Sequence, residues 1–158
     1  MTEKSREMRL LIELLTESFQ SKAWHGPNLR GSVRGLNGRQ ASRRPGARRH
    51  NIWEIVVHCT YWKYIVRRRI MGEKKGSFHI KGSNWFAVGK GEREWKRDLA
   101  MLQSYHDSLM KAVRTIKSAD LYRTPRGSTV NTAAILRGIA SHDVYHAGQI
   151  QLIKRMIR

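Results

Sequence analysis

"AILRGIASHDVYHAGQIQLIK" (residues 134–154) decides the fold. Its apolar residues return at Ile135, Ile139, Ile150 and Ile153, the three- and four-residue steps of an amphipathic helix. The spacing predicts a helix from about 130 to 157, long enough to need a large apolar surface to pack against. The same stripe carries His142, His146 and Gln149. Leucine would pack there without any hydrogen-bonding demand, so the two histidines need a reason of their own.

Three further segments supply the apolar surface. Between residues 4 and 21, Met8, Leu11, Ile12, Leu15 and Phe19 recur at helical steps until Gly26-Pro27 breaks the pattern. A short helical turn is expected at 28–36. The following "NGRQASRRPGARRH" (37–50) has loop composition and is too short and too basic for a domain linker. Asn51, with Glu54 three residues later, forms a capping-box signature ahead of an apolar run through Ile55, Val56, Cys59, Trp62 and Val66. Residues 72–91 hold five glycines and no periodicity, which predicts one long loop of the kind that usually carries function. The next helix spans 92–117, with Trp95, Leu99, Leu102, Leu109 and Val113 in step. No strand alternation and no repeat is visible. The expected fold is all-α: a single domain over residues 1–158, an antiparallel four-helix bundle with one long loop between helices 2 and 3. A loop of that length also permits a crossover connection.

Composition narrows the function classes. A 158-residue chain can form a core without staples, and its single cysteine, Cys59, excludes both an intramolecular disulfide and an all-cysteine zinc site. The opening "MTEKSREMRLLIELL" mixes charges into its apolar residues, so no signal-peptide core is expected, and no run of 18 apolar residues predicts a membrane span. A cytoplasmic protein is the expectation. The net charge is +19, from 31 Lys+Arg against 12 Asp+Glu. Residues 30–75 hold 13 of those cations against only Glu54 and Glu73. Such a basic stretch suits nucleic acid or an anionic surface, but a solvated arginine-rich face that keeps the protein in solution is the favoured reading.

Residues four apart on a helix have Cβ atoms about 5–6 Å apart, so His142 and His146 are neighbours. His58 lies on the apolar side of its own helix, three residues after Ile55 and four before Trp62. Three imidazoles on two facing helices can converge in a bundle core, where neutral imidazole suits Zn, Ni, Fe or Cu. Three protein ligands leave a position open for water or substrate, the pattern of a catalytic site. "HDVYH" (142–146) is close to the H-E-x-x-H of zinc proteases, but Asp143 stands where a glutamate base is needed and only twelve residues follow His146. A protease is therefore rejected. His25 is a candidate proton shuttle at the site mouth or a plain loop hydrogen-bonder. Gln149 is a candidate for fixing a bound water or orienting His146, against an ordinary core amide. Trp85 reads as a lid or as a loop anchor. Asp143 points about 100° from His142 and is expected to pair elsewhere. His50, His79 and His106 have no evident partner, and Cys59 faces away from His58.

"HNIWEIVVHCTYWKY" (50–64) and "GIASHDVYHAGQIQLIKR" (138–155), with "AWHGPNLRGSVRGLNGRQASRRP" (23–45) and "GSNWFAVG" (82–89) in order between the ends, resemble the DinB-like family of metal-binding four-helix bundles. The resemblance implies a divalent metal on His58, His142 and His146, zinc or nickel foremost and iron or manganese as further options. It also implies frequent homodimers. Family members of known activity are thiol-dependent transferases or isomerases using low-molecular-weight thiols, and others are described as metal-dependent hydrolases. The family name records damage-inducible expression and says nothing of DNA binding. This chain is far more basic than the family pattern. The expectation is a metal-dependent enzyme, a hydrolase or thiol S-transferase acting on a small-molecule substrate. The alternative is a basic nucleic-acid-binding or stress-response bundle without catalysis.

Overall fold

The computed structural model describes residues 5–74, 76 and 78–157; residues 1–4, 75, 77 and 158 lie outside them, including the residue-4 start expected for the first helix and two positions of the expected 72–91 loop. Four long helices, α1 (Arg6–Phe19), α4 (Ile52–Ile70), α5 (Glu92–Thr115) and α6 (Thr132–Met156), carry most of the chain, joined by the single-turn helices α2 (Leu29–Ser32) and α3 (Gly38–Ala41). Three of the long helices begin where a side chain takes up a free N–H group. Ser5 Oγ accepts from Met8, Asn51 Oδ1 from Glu54 and Asn131 Oδ1 from Ala134. At Asn51 the capping box closes, because Glu54 accepts from the Asn51 N–H in return. α5 lacks a side-chain cap and starts instead with Glu92 and Glu94 in its first turn, where carboxylates suit the helix dipole.

The expected loop at 37–50 differs from the structure, since it contains α3. Its start is a second capping box, Asn37 with Gln40, hidden in "NGRQ" by the glycine and the charges around it. Gly38 is needed there: a Cβ would lie 2.8 Å from the Gly91 carbonyl and 3.2 Å from Trp95, while its N–H donates to Glu92 at 2.7 Å. The 72–91 stretch likewise holds a minimal ladder, β1 (Gly82–Ser83) against β2 (Trp85–Phe86), with Asn84 alone at the turn and in the left-handed region at φ 66°. Two pairs are too few for alternation to register in sequence.

Helix directions follow from which residues meet. Trp53 packs edge-on against Trp95 at 5.4 Å, Tyr64 against Tyr105 at 6.2 Å, and Thr115 Oγ1 reaches Met71. Those pairs advance together, so α4 and α5 run parallel, and a simple antiparallel order does not hold for this pair. The long connection is the physical reason: it lets the chain return to the end from which α4 began. α6 runs against α4, and α1 against α5, where Phe19 meets His106, Gln20 meets Gln103, and Ser5 meets Ser118.

The core divides into two apolar clusters. One gathers Phe19, Trp53, Val56, Trp95, Leu102 and Ile150; the other gathers Met8, Leu15, Leu109, Val113, Leu136 and Ala140. Between them, in sequence along three helices, lies a buried polar layer: Lys63 on α4, His106 on α5, Asp143 on α6. Lys63 Nζ donates to Asp143 Oδ2 and stands 4.7 Å over the Phe19 ring, whose plane also stacks on His106 at 3.7 Å. Both members of the ion pair are 1% exposed. Removing one member of such a pair strands a buried charge, whereas replacing both by apolar residues is close to neutral. Asp143→Leu is therefore expected to destabilise by about 3–5 kcal/mol, and Lys63→Met/Asp143→Leu to regain most of that loss in urea unfolding. Additive losses in the double variant would contradict the pairing.

Candidate metal centre

His58 reaches the interface from the middle of α4, and His142 and His146 reach it from successive turns of α6. His58 and His146 are buried and His142 half-buried. Their Nε2 atoms converge: His142 Nε2 lies 3.1 Å from that of His58 and 3.1 Å from that of His146. The spacing is close to the edge, about 3.3 Å, of a tetrahedral site with metal–nitrogen bonds of about 2.0–2.1 Å.

Hydrogen bonds at the far ring atoms fix what those nitrogens carry. His58 Nδ1 donates to the Asn84 carbonyl at 2.8 Å, and His146 Nδ1 donates to Gln149 Oε1 at 2.7 Å. A proton on Nδ1 of a neutral imidazole leaves a lone pair on Nε2. Two lone pairs thus face a third imidazole, which has at most one proton to offer them. That donor set fits a divalent cation better than an all-protein hydrogen-bond network. The three histidines form a group whose ligand atoms lie within 4.8 Å of one another and can hold a metal ion.

Electrostatics agree. Burial lowers all three imidazole pKa values, that of His142 to about 3 with help from His146, His58 and Lys63, and that of His146 to about 4 against the opposing pull of Gln149. Neutral rings are the form that binds metal. Cys59 Sγ, Asp143 and His142 form a second close group. There Cys59 is fully buried with its thiol pushed well above the usual range by burial, and Asp143 already binds Lys63.

The centre opens on a cavity of about 680 Å³. Gln149 lines it and holds His146 while its own Nε2 donates to the Tyr145 hydroxyl. His25 is exposed in the turn ahead of α2 and is not among the lining residues. Trp85 stacks on His58 at 4.1 Å and on His50 at 3.6 Å, so one indole is sandwiched between two imidazoles. A family model described as the DinB superfamily matches residues 23–150, a span that contains all three histidines. The chain belongs to the DinB superfamily. No curated protein and no solved structure matches it.

Within this DinB-superfamily site, three residues escaped sequence reasoning. Asn84 holds His58 through its carbonyl and takes a bond from Trp62 Nε1 through its side chain at 2.9 Å. Its only sequence signal is an asparagine at a tight turn, a residue that tolerates left-handed backbone. His50 lines the cavity, and its Nδ1 meets Glu54 Oε2 at 3.1 Å. Burial pulls Glu54 upward, but bonds from Asn51, Arg44 and His50 outweigh it and hold its carboxyl below the usual range. The four-residue step from His50 to Glu54 was the available signal. Lys63, the buried partner of Asp143, gave none. His79 is exposed, and His106 is buried with neither ring nitrogen paired among the described residues.

The pH dependence follows from the neutral rings. His106 is held at about 3, chiefly by burial and then by Lys63 and Arg114, alongside His142 and His146. Unfolding returns each ring to about 6.5, so below that pH the unfolded chain binds more protons than the folded one. Stability of the metal-free protein is expected to hold above about pH 6.5 and to fall steadily as pH drops toward about 3. His106→Leu should flatten part of that decline in urea midpoints; an unchanged pH slope would contradict the buried neutral imidazole.

Proposed function

We propose that this chain is a metal-dependent hydrolase in which His58, His142 and His146 bind one divalent cation, zinc or nickel foremost and iron or manganese as further options, through Nε2. The observation carrying the reading is the meeting of Nε2 atoms at 3.1 Å while Asn84 and Gln149 hold the opposite ring nitrogens. When bound, such a metal lowers the pKa of a water at the position the three ligands leave open. The protein's own groups do the rest. His50, with Nδ1 turned to Glu54, keeps Nε2 free to accept a proton at the cavity wall. Trp85 covers one face of His58 and keeps bulk water from it. Arg49 favours an anionic group on the substrate, and Leu152 and Met156 pack its apolar part. The substrate is thus a small organic molecule admitted at the 680 Å³ cavity. The proposal includes a single four-helix-bundle domain that forms a homodimer.

Thiol transfer is the second reading, favoured by the same Arg49 and apolar wall, which suit an anionic low-molecular-weight thiol as co-substrate. Cys59 is buried and protonated, so the attacking thiol has to come from outside the chain. Nucleic-acid binding has no site-level observation beside the charge. No helix among the described residues is long and apolar enough to cross a membrane.

Stripping the protein with chelator and adding zinc is expected to raise the thermal midpoint, with about 2.7 kcal/mol gained when free zinc is 100 times Kd. His58→Ala and His146→Ala should each abolish the rise; a rise that persists in both sinks the proposal. With the zinc form and a p-nitrophenyl ester, His50→Asn is expected to lower kcat by roughly 10²-fold or more without changing metal content. A rate that instead requires added glutathione selects the thiol reading.

A further inference from the structure

A second gathering of cations, outside the metal cavity, lies at the other end of α4. Two adjoining cavities there, of about 460 Å³ and about 370 Å³, share Arg69, Gly72 and Arg126. Arg68 and Lys74 line the larger, and Lys117 and Arg123 the smaller. Arg69 is eleven positions after His58, about 16 Å along the helix at 1.5 Å per residue, so this region is separate from the metal centre.

The acids at this end are already neutralised. Glu73 takes two bonds from Arg67, both 2.8 Å, and Asp120 pairs with Arg123 at 2.9 Å. Among the described residues, Arg68, Arg69, Lys74, Lys117 and Arg126 have no ion pair. Cations in the last turn of a helix offset its dipole, which accounts for Arg68 and Arg69. It does not account for Lys74, Lys117 and Arg126, which arrive from other segments. Arg68 and Arg69 are half-buried, and Arg68 Nε is buried without an acceptor among the described residues. A buried guanidinium N–H normally has an acceptor, and gathered like charges repel until an anion joins them.

We infer that this end of the molecule binds a small ligand carrying two or more phosphate groups. Arginine forks match phosphate oxygens two at a time, and lysine adds a point charge. Two cavities side by side, sharing Arg69 and Arg126, with Arg68 and Lys74 besides in the larger and Lys117 in the smaller, suit two linked phosphates. The cations converge on concave cavities from the end of α4, the 72–74 turn and the 123–127 turn. They do not follow a stripe, as a nucleic-acid backbone would need.

The test is isothermal titration of the full chain with tripolyphosphate at near-physiological salt, beside a single-stranded oligonucleotide. Tripolyphosphate is expected to bind. Arg126→Gln, at an exposed turn position, and Arg69→Gln/Arg126→Gln should weaken it progressively, the double variant by roughly tenfold or more. Arg39→Gln/Arg43→Gln, which removes two exposed charges elsewhere, should leave it within about twofold of the parent. Circular dichroism checks that each variant is folded, and Arg126→Gln alone decides the matter if the double variant is not. No binding of tripolyphosphate, equal weakening by both double variants, or tighter oligonucleotide binding that ignores Arg69 and Arg126 would each overturn the inference.

Discussion

A buried polar layer in mid-bundle is the constraint on which this structure depends. Lys63, His106, Asp143, His58 and His146, with the half-buried His142 beside them, occupy positions where leucine would pack with less demand. Apolar cores exclude such groups unless each finds a partner, because desolvation of a charge or an imidazole is otherwise uncompensated. Lys63 Nζ pairs with Asp143 Oδ2, while Asp143 Oδ1 and both His106 ring nitrogens have no hydrogen-bond partner among the described residues, and the Phe19 ring packs against both Lys63 and His106. The apolar clusters on either side hold α4 and α6 at the separation that brings His58 against His142 and His146. Packing thus brings the three imidazoles into an arrangement that could hold a metal ion.

The connection between α4 and α5 serves the same centre. Its length lets two consecutive long helices run parallel, and it folds Asn84 and Trp85 back over His58. A single residue at a tight turn, with φ of 66°, sets the carbonyl that decides the tautomer of His58. On the other helix Gln149 does the corresponding work for His146 from within the same face. Both rings are oriented through Nδ1, by groups on the side away from the converging Nε2 atoms.

How much of this was legible in the sequence depended on the range of the signal. The long helices were readable because their apolar periods extend over many turns, and the cap at Asn51 marked the start of α4. His58, His142 and His146 were readable because packing alone seldom puts imidazoles at chelating spacing on an apolar stripe. α3 was missed because a single turn carries too few residues to show a period, although Asn37 and Gln40 marked its cap. The parallel α4–α5 pair was not legible either: direction is set by contacts such as Trp53 with Trp95, which no local pattern contains. Asn84 and Lys63 act across 26 and 80 residues of chain, and their partners are defined only once the helices pack.

X-ray absorption at the zinc edge of the zinc-loaded protein tests the central claim most directly, since it reads ligand type and distance at the ion itself. Three imidazole nitrogens at about 2.0–2.1 Å with one further light atom are the expected first shell. A sulfur at about 2.3 Å, placing the ion on Cys59 and Asp143, or a shell with fewer than two imidazoles, would contradict it.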